Sequence, residues 1–232
     1  AEYLVTAIVE LEILPDLPKD FIIYCKQFTA KFLEIINSDS LASHHYLCMQ
    51  PWMIESLSTK YSAKDINNLA FRLMYPAPVC LRVNTLSANR SLIMDALAAN
   101  SIKATPSNYS PDGIILANRP QLNNFEFYRN GSVEVQDIGS QLISYSLAPE
   151  KNTDILDACA GAGGKTLHIA ALTKDEAKII ATDLEFNRLK EIKIRANKAG
   201  IASIAVIPQR KMELKNKIKH QFDYILIDAP CS

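Results

Sequence analysis

Between Ser132 and Asp228 the chain alternates short apolar runs with amphipathic stretches of helical length, and this rhythm constrains the fold more than any other feature. Strands are expected at Ile155 to Asp157, Ile179 to Asp183, Ile204 to Ile207 and Tyr224 to Asp228, with helices over Leu142 to Leu147, Thr166 to Leu172 and Arg188 to Ala199. Runs of β-branched residues without polar alternation suit strands buried on both faces, so the pattern predicts a doubly wound parallel α/β sheet. Placing the first strand centrally with the fourth beside it leaves an apolar strand as a bare edge, which natural sheets avoid. The polypeptide is therefore expected to continue beyond Ser232, with the sheet incomplete at the C-terminus of this chain.

Two further modules are expected before the sheet. Residues 1–76 read as helical, with Phe21, Tyr24, Cys25, Phe28, Phe32 and Ile35 along one apolar stripe. Ser62 and Asp65 resemble a capping box opening a helix through Leu69, Phe71 and Leu73, whose apolar side chains are assigned to the core. Pro76 and Pro78 end that module. Residues 77–131 are expected to form a small α/β unit: a strand over Val79 to Leu86, a helix over Leu92 to Ala99, strands near Ile114 to Leu116 and Phe125 to Tyr128, and a turn at Asn130-Gly131. Residues 132–232 would then be the sheet domain.

Charge is balanced, with 25 basic and 25 acidic side chains, so no polyanionic partner is demanded by net charge. The basic residues nevertheless cluster: Arg188, Lys190, Lys193, Arg195, Lys198, Arg210, Lys211, Lys215, Lys217 and Lys219 face only Glu191 and Glu213 over the same stretch. Such a cluster is either an RNA footprint or a solvated face. Five scattered cysteines with no signal peptide point to a reducing cytoplasm. No apolar run approaches a membrane span. His44, His45 and Cys48 lack a second ligand pair at zinc spacing, so no metal is expected. A monomer is expected.

The first strand runs into Asp157-Ala158-Cys159-Ala160-Gly161-Ala162-Gly163-Gly164-Lys165-Thr166. Small residues here let backbone approach a ligand, and a following helix N-terminus favours negative charge. A phosphate-binding P-loop would need glycine where Cys159 stands, and a dinucleotide fingerprint on Gly161 and Gly163 would need Gly or Ala where Thr166 stands. What remains is a nucleoside whose ribose is held by an acid ending the second strand, and Asp183 is placed for that. The last strand ends in Asp228-Ala229-Pro230-Cys231, a turn at the carboxyl edge of the sheet where ligands gather. From the residues alone, Cys231 is a candidate nucleophile.

These segments, with Leu81-Arg82-Val83-Asn84-Thr85-Leu86 and Val135-Gln136-Asp137-Ile138-Gly139-Ser140-Gln141-Leu142 upstream, resemble the RNA cytosine-C5 methyltransferases that use S-adenosylmethionine, most closely the Sun/Fmu group acting on small-subunit ribosomal RNA. The resemblance runs over most of the chain and implies a Rossmann-like class I methyltransferase sheet. It implies that Cys159, Ala160, Gly161, Ala162, Gly163, Gly164 and Lys165 wrap the methionine and ribose of S-adenosylmethionine, that Asp183 holds the ribose hydroxyls, and that Asp228 lies between cofactor and target base. Two positions depart from the family. Gly161-Ala162 stands where the family has Ala-Pro, and Gln209 stands where it has the acid that receives the adenine amino group. Glutamine can accept the same hydrogen bond without charge.

In that family the cysteine of the Pro-Cys turn assists product release and the attacking cysteine lies on the next strand, beyond Ser232. Cys231 is assigned to release on that basis, with the nucleophilic reading standing as the alternative. Arg82 and Asn84 would help the small unit grip RNA, or Arg82 is a strand-end arginine in an ion pair. Two other functions stay open: a non-catalytic RNA-binding or ribosome assembly factor retaining the fold, and 5-methylcytosine formation in transfer RNA.

Overall fold

The computed structural model describes residues 47–208 and 222–229, together with Ile23, Gln27 and Ala30. It divides into two compact units, Ala1–Ala77 and Pro78–Ser232. In the first, α1 (Pro51–Ser58) opens on a proline, whose ring presets the helical φ where no N–H is needed. Ser62 caps α2 (Ala63–Met74), accepting from the Asp65 N–H at 3.3 Å while its hydroxyl donates to Asp65 Oδ2 at 2.6 Å. The helix buries Ile66 and Ala70 against Leu47 and Met49. Leu69 and Leu73, expected in the core, are exposed, although they share a helix face with Ile66 and Ala70. The stripe from Phe21 to Ile35 lies outside the described residues, apart from Ile23, Gln27 and Ala30, which are helical and exposed.

The second unit contains two sheets. The first comprises β1 (Val79–Val83), β2 (Ala104–Pro106), β3 (Gly113–Leu116) and β4 (Val133–Val135), antiparallel in the order β2-β3-β1-β4. Between β1 and β2 runs α3 (Arg90–Ala99), capped by Asn89, whose side chain accepts from the Leu92 N–H at 2.9 Å. Strand alternation sorts the faces. Leu81, Val83, Ile114 and Val133 pack on Ile93 and Leu97 of α3. The opposite face carries Arg82 and Glu134, directly paired across β1 and β4 and both buried.

Two expectations are corrected here. Residues Phe125 to Tyr128 form no strand: Leu122–Asn124 is a 3-10 turn and α4 (Glu126–Arg129) follows, with Phe125 and Phe127 stacked at 5.4 Å. The sheet domain expected from Ser132 loses its first residues, since β4 hydrogen-bonds to β1 in the small sheet.

The second sheet contains β5 (Asp154–Asp157), β6 (Lys178–Ala181), β7 (Ile204–Val206) and β8 (Tyr224–Leu226), all parallel in the order β7-β6-β5-β8. The first strand is central with the last beside it, the arrangement considered from the sequence. Among the described residues three helices serve this sheet: α5 (Ile138–Leu147), α6 (Gly164–Leu172) and α7 (Phe186–Ala199). Ile155, Ile179, Leu167, Ile169 and Ala196 form its core.

The two sheets meet through backbone at Gly131 and through the side chain of Asn84. Gly131 sits at φ 78°, and a Cβ there would fall 2.5 Å from the Lys198 carbonyl oxygen. Asn84 Nδ2 donates to the carbonyls of Gly131 and Ala199 at 3.1 and 3.0 Å. No described helix is long and apolar enough to cross a membrane.

Candidate cofactor site

Where β5 ends, the chain turns through residues 158–163 into α6. The Ala158 N–H reaches back to Leu226 of β8 at 2.9 Å, and the Ala160 N–H to Thr182, just after β6, at 3.0 Å. The loop is thereby tied to both neighbours of the central strand. Gly163 caps the helix at φ 88°, and a Cβ there would meet Ile192 Cγ1 of α7 at 2.8 Å. Only glycine satisfies both the left-handed backbone and this contact.

Asp183 follows β6 and is gripped from two sides. Its Oδ2 accepts the Gly161 N–H and its Oδ1 the Glu185 N–H, each at 2.8 Å. A carboxylate has about four lone-pair sites, so a pair of vicinal hydroxyls can still be accepted. At the other side of the loop, Lys165 forms an ion pair with Asp228, which follows β8. Asp157 is buried beneath, accepting from the Thr166 hydroxyl at 2.6 Å, and burial pushes its carboxyl above the usual carboxylate range. Burial also raises the Cys159 thiol, helped by the carboxylates of Asp183, Asp157 and Asp228, so this sulfur is held as a thiol rather than a nucleophilic thiolate.

Together these groups line one cleft of about 690 Å³ at the carboxyl ends of the parallel strands, the position where open α/β sheets hold ligands. Cys159, Ala160, Gly161, Ala162, Gly164, Lys165, Asp183 and Asp228 all line it. Gly163 does not, and serves through its packing on Ile192. Gln209 and Cys231 lie outside the described residues, as do His44 and His45. Among the described residues no cluster of three His, Cys, Asp or Glu side chains could hold a metal.

The cleft also includes Gln136, Ser140, Leu184, Glu185 and Arg188, which sequence reasoning did not place there. Gln136 and Ser140 belong to the segment Val135 to Leu142, so a signal was present, but not the side chains' destination. Arg82 and Asn84 are each 2% exposed, so neither side chain is presented at the surface of the small sheet. Arg82 donates through Nε to Gln136 Oε1 at 2.6 Å, and burial pulls its pKa down to about 10 despite the nearby Glu134 carboxylate. Cys80 is buried, whereas Cys48, expected in the core, is exposed at a turn.

Within the basic stretch, α7 exposes Arg188, Lys190 and Lys193. Arg195 turns inward instead, donating to the Ala162 carbonyl at 2.6 Å and to Glu134 Oε2 at 2.8 Å.

Comparison with known proteins gives this arrangement its relatives. A family model for 16S rRNA methyltransferase RsmB/F matches residues 144–232, and one for the ferredoxin-like domain of RsmF/B-like methyltransferases matches residues 50–123. The chain is 31% identical over 182 residues to the probable ribosomal RNA small subunit methyltransferase B of Bacillus subtilis, covering 78% of this chain and 40% of that protein. It is 30% identical over 207 residues to ribosomal RNA small subunit methyltransferase B of Yersinia pseudotuberculosis, covering 89% and 48%. The chain thus spans about half the length, or less, of these relatives. Among solved structures it shares its fold with PH0851 (TM-score 0.73, 24% identity, 90% of this chain and 48% of that one). It shares the fold also with NSun6 from Pyrococcus horikoshii, crystallised with SFG (TM-score 0.69, 18% identity, 78% and 71%). With the family's two models matching residues 50–123 and 144–232 and curated relatives 30–31% identical over most of its length, the chain belongs to the Sun/Fmu family, that of the RsmB/F ribosomal RNA methyltransferases.

Proposed function

We propose that the chain binds S-adenosylmethionine in the cleft between Asp183 and Asp228 and serves an RNA cytosine-C5 methyltransferase acting on small-subunit ribosomal RNA. The observation that carries this reading is the grip on Asp183. One carboxylate, fixed by the Gly161 and Glu185 amides, is presented into a cleft lined by small residues at the mouth of a parallel sheet. Asp183 accepts from the ribose hydroxyls, backbone of residues 159–165 surrounds the methionine portion, and Leu184, 64% exposed, offers an apolar surface to the adenine. Gln209, outside the described residues, accepts from the adenine amino group. S-adenosylmethionine supplies an electrophilic methyl group when bound.

Carbon 5 of cytosine is too weak a nucleophile to accept that group unaided. A thiolate adding to carbon 6 makes the ring electron-rich, and the base must leave its stack to be attacked from above its plane. In this reading the attacking thiolate belongs to a cysteine on the strand that follows β8, as in the family the chain resembles. Asp228, held by Lys165 at the cleft edge, is positioned to hydrogen-bond the ring nitrogen and stabilise the adduct. Cys231 assists release once the proton on carbon 5 is removed. The raised pKa of Cys159 supports excluding it from attack. Exposed Arg188, Lys190 and Lys193 on α7 supply phosphate contacts.

The test is transfer of labelled methyl from S-adenosylmethionine by the natural polypeptide into unmodified small-subunit ribosomal RNA, read by nucleoside mass spectrometry. Label recovered as 5-methylcytosine is the expected result. Label appearing only in transfer RNA would redirect the substrate assignment. Cofactor binding without any transfer would make the chain a part of a non-catalytic RNA-binding factor.

A further inference from the structure

The cofactor loop contains a weak point, and the structure shows what holds it. Ala162 lies between Gly161 at φ 54° and Gly163 at φ 88°. A Cβ on Gly161 would meet nothing within 4 Å, so that residue is held through its N–H, donated to Asp183 Oδ2 at 2.8 Å, and not by packing over its α-carbon. A peptide plane followed by glycine resists flipping less than one flanked on both sides by residues with a Cβ. Yet the plane joining Ala162 and Gly163 sets the direction of the amides that open α6. Its N–H end is fixed internally, the Gly163 N–H donating to the Ala160 carbonyl at 2.8 Å. Its carbonyl end is fixed from outside the loop, by Arg195 Nη1 at 2.6 Å.

Arg195 does not reach that carbonyl alone. Its second arm, Nη2, donates to Glu134 Oε2 at 2.8 Å, and Glu134 is only 6% exposed. Glu134 lies directly opposite Arg82 in the pairing of β4 with β1, so the carboxylate stands between two guanidinium groups. A planar fork can serve two acceptors at once, whereas an ammonium group on a flexible stem serves them poorly together. Removing Arg195 would leave the Ala162 carbonyl without this restraint and Glu134 with one cationic neighbour fewer.

We infer that Arg195, oriented by Glu134 of the small sheet, is a positioning residue for the S-adenosylmethionine loop, fixing the Ala162 carbonyl so that the loop is preorganised for the cofactor. The brace spans three elements: β4 supplies the anchor, α7 the arm and the β5–α6 loop the load. The part concerning the cofactor rests on the function proposed above. The part concerning loop order does not.

The experiment uses the 232-residue chain with S-adenosylhomocysteine as the probe, measured by titration calorimetry, and hydrogen exchange of residues 158–164 without ligand. In Arg195→Met the affinity should fall about tenfold, the loss expected when a charge-assisted contact no longer preorganises a site. Loop exchange should quicken by at least about tenfold, as local opening becomes easier. Arg195→Lys should recover to within roughly threefold of the parent affinity, since one of the two contacts survives. Glu134→Gln should weaken binding on its own but add nothing further in the Arg195→Met background, the signature of residues acting through one contact. A purely structural role would lower the urea midpoint while leaving both affinity and loop exchange of the folded protein unchanged, and that result overturns the inference. If the parent chain fails to bind S-adenosylhomocysteine, the cofactor assignment falls, and loop exchange decides the brace: equal exchange in parent and Arg195→Met overturns it.

Discussion

Gly163 shows how much one residue can be asked to satisfy, since its backbone is left-handed and its α-carbon lies against Ile192. Gly163→Ala should destabilise the chain by about 1–3 kcal/mol through backbone strain and overlap, read as a lowered urea midpoint. Its effect on cofactor affinity should exceed that of Gly161→Ala, whose added methyl group enters open space although its φ is also positive. Cys231 carries the prediction that divides the two chemical roles for the Pro-Cys turn. In the natural polypeptide, Cys231→Ala should accumulate a covalent RNA adduct, seen as a denaturant-resistant shift on a gel. Loss of both adduct and product would give the attacking role to Cys231 instead.

At the scale of elements, Asn84 ends the first strand of the small sheet and ties it to the last turn of α7 through the carbonyls of Gly131 and Ala199. Asn84→Ala leaves two buried carbonyls short of a donor and should cost about 1–3 kcal/mol in chemical unfolding. The same region shows which elements could be read in advance. The parallel strands were legible because each contains a short apolar run set between helices of clear period, although the alternation alone does not fix their order. Val133–Val135 was not, being three residues with a glutamate at the centre, too short to show a period. Ala104–Pro106 contains a proline, which argues against a strand in sequence, yet it is an edge strand, where proline is tolerated. Phe125 to Tyr128 has the aromatic content of a strand but folds as a helical turn, with tertiary packing overriding propensity. In the site, the loop and Asp183 were legible because backbone amides and a carboxylate at strand ends are local features. The partners of Arg82, Asn84 and Arg195 were not, since each is distant in sequence and depends on how the sheets dock.

Across the whole second unit, a buried polar joint couples stability to pH. His168 of α6 is fully buried, and neither ring nitrogen has a hydrogen-bond partner among the described residues. Tyr145 of α5 meets it edge-on at 5.0 Å and donates its hydroxyl to Asp112, whose Oδ2 lies 3.8 Å from His168 Nε2. Burial lowers the imidazole pKa from 6.5 to about 4, and Asp112 offsets this only in part. The unfolded chain therefore takes up a proton on this histidine before the folded one does. Its contribution is fully present above pH 6.5 and is lost as pH falls through about 4. The shift corresponds to at most roughly 3 kcal/mol. His168→Leu should flatten the decline in urea stability over that window, and an unchanged slope would show that the carboxylates alone govern it.

The contact at Gly131 has a consequence for how such a molecule changes over generations. The turn of the small sheet is seated on the Lys198 carbonyl with no room for a Cβ, and Asn84 clasps the same helix end. A seat on main chain, clasped by the single side chain of Asn84, depends little on the exposed residues around it. Lineages can thus exchange exposed residues on either sheet while the offset between the small sheet and the cleft passes down unaltered. Replacement at Gly131 is the change that would force that offset to move.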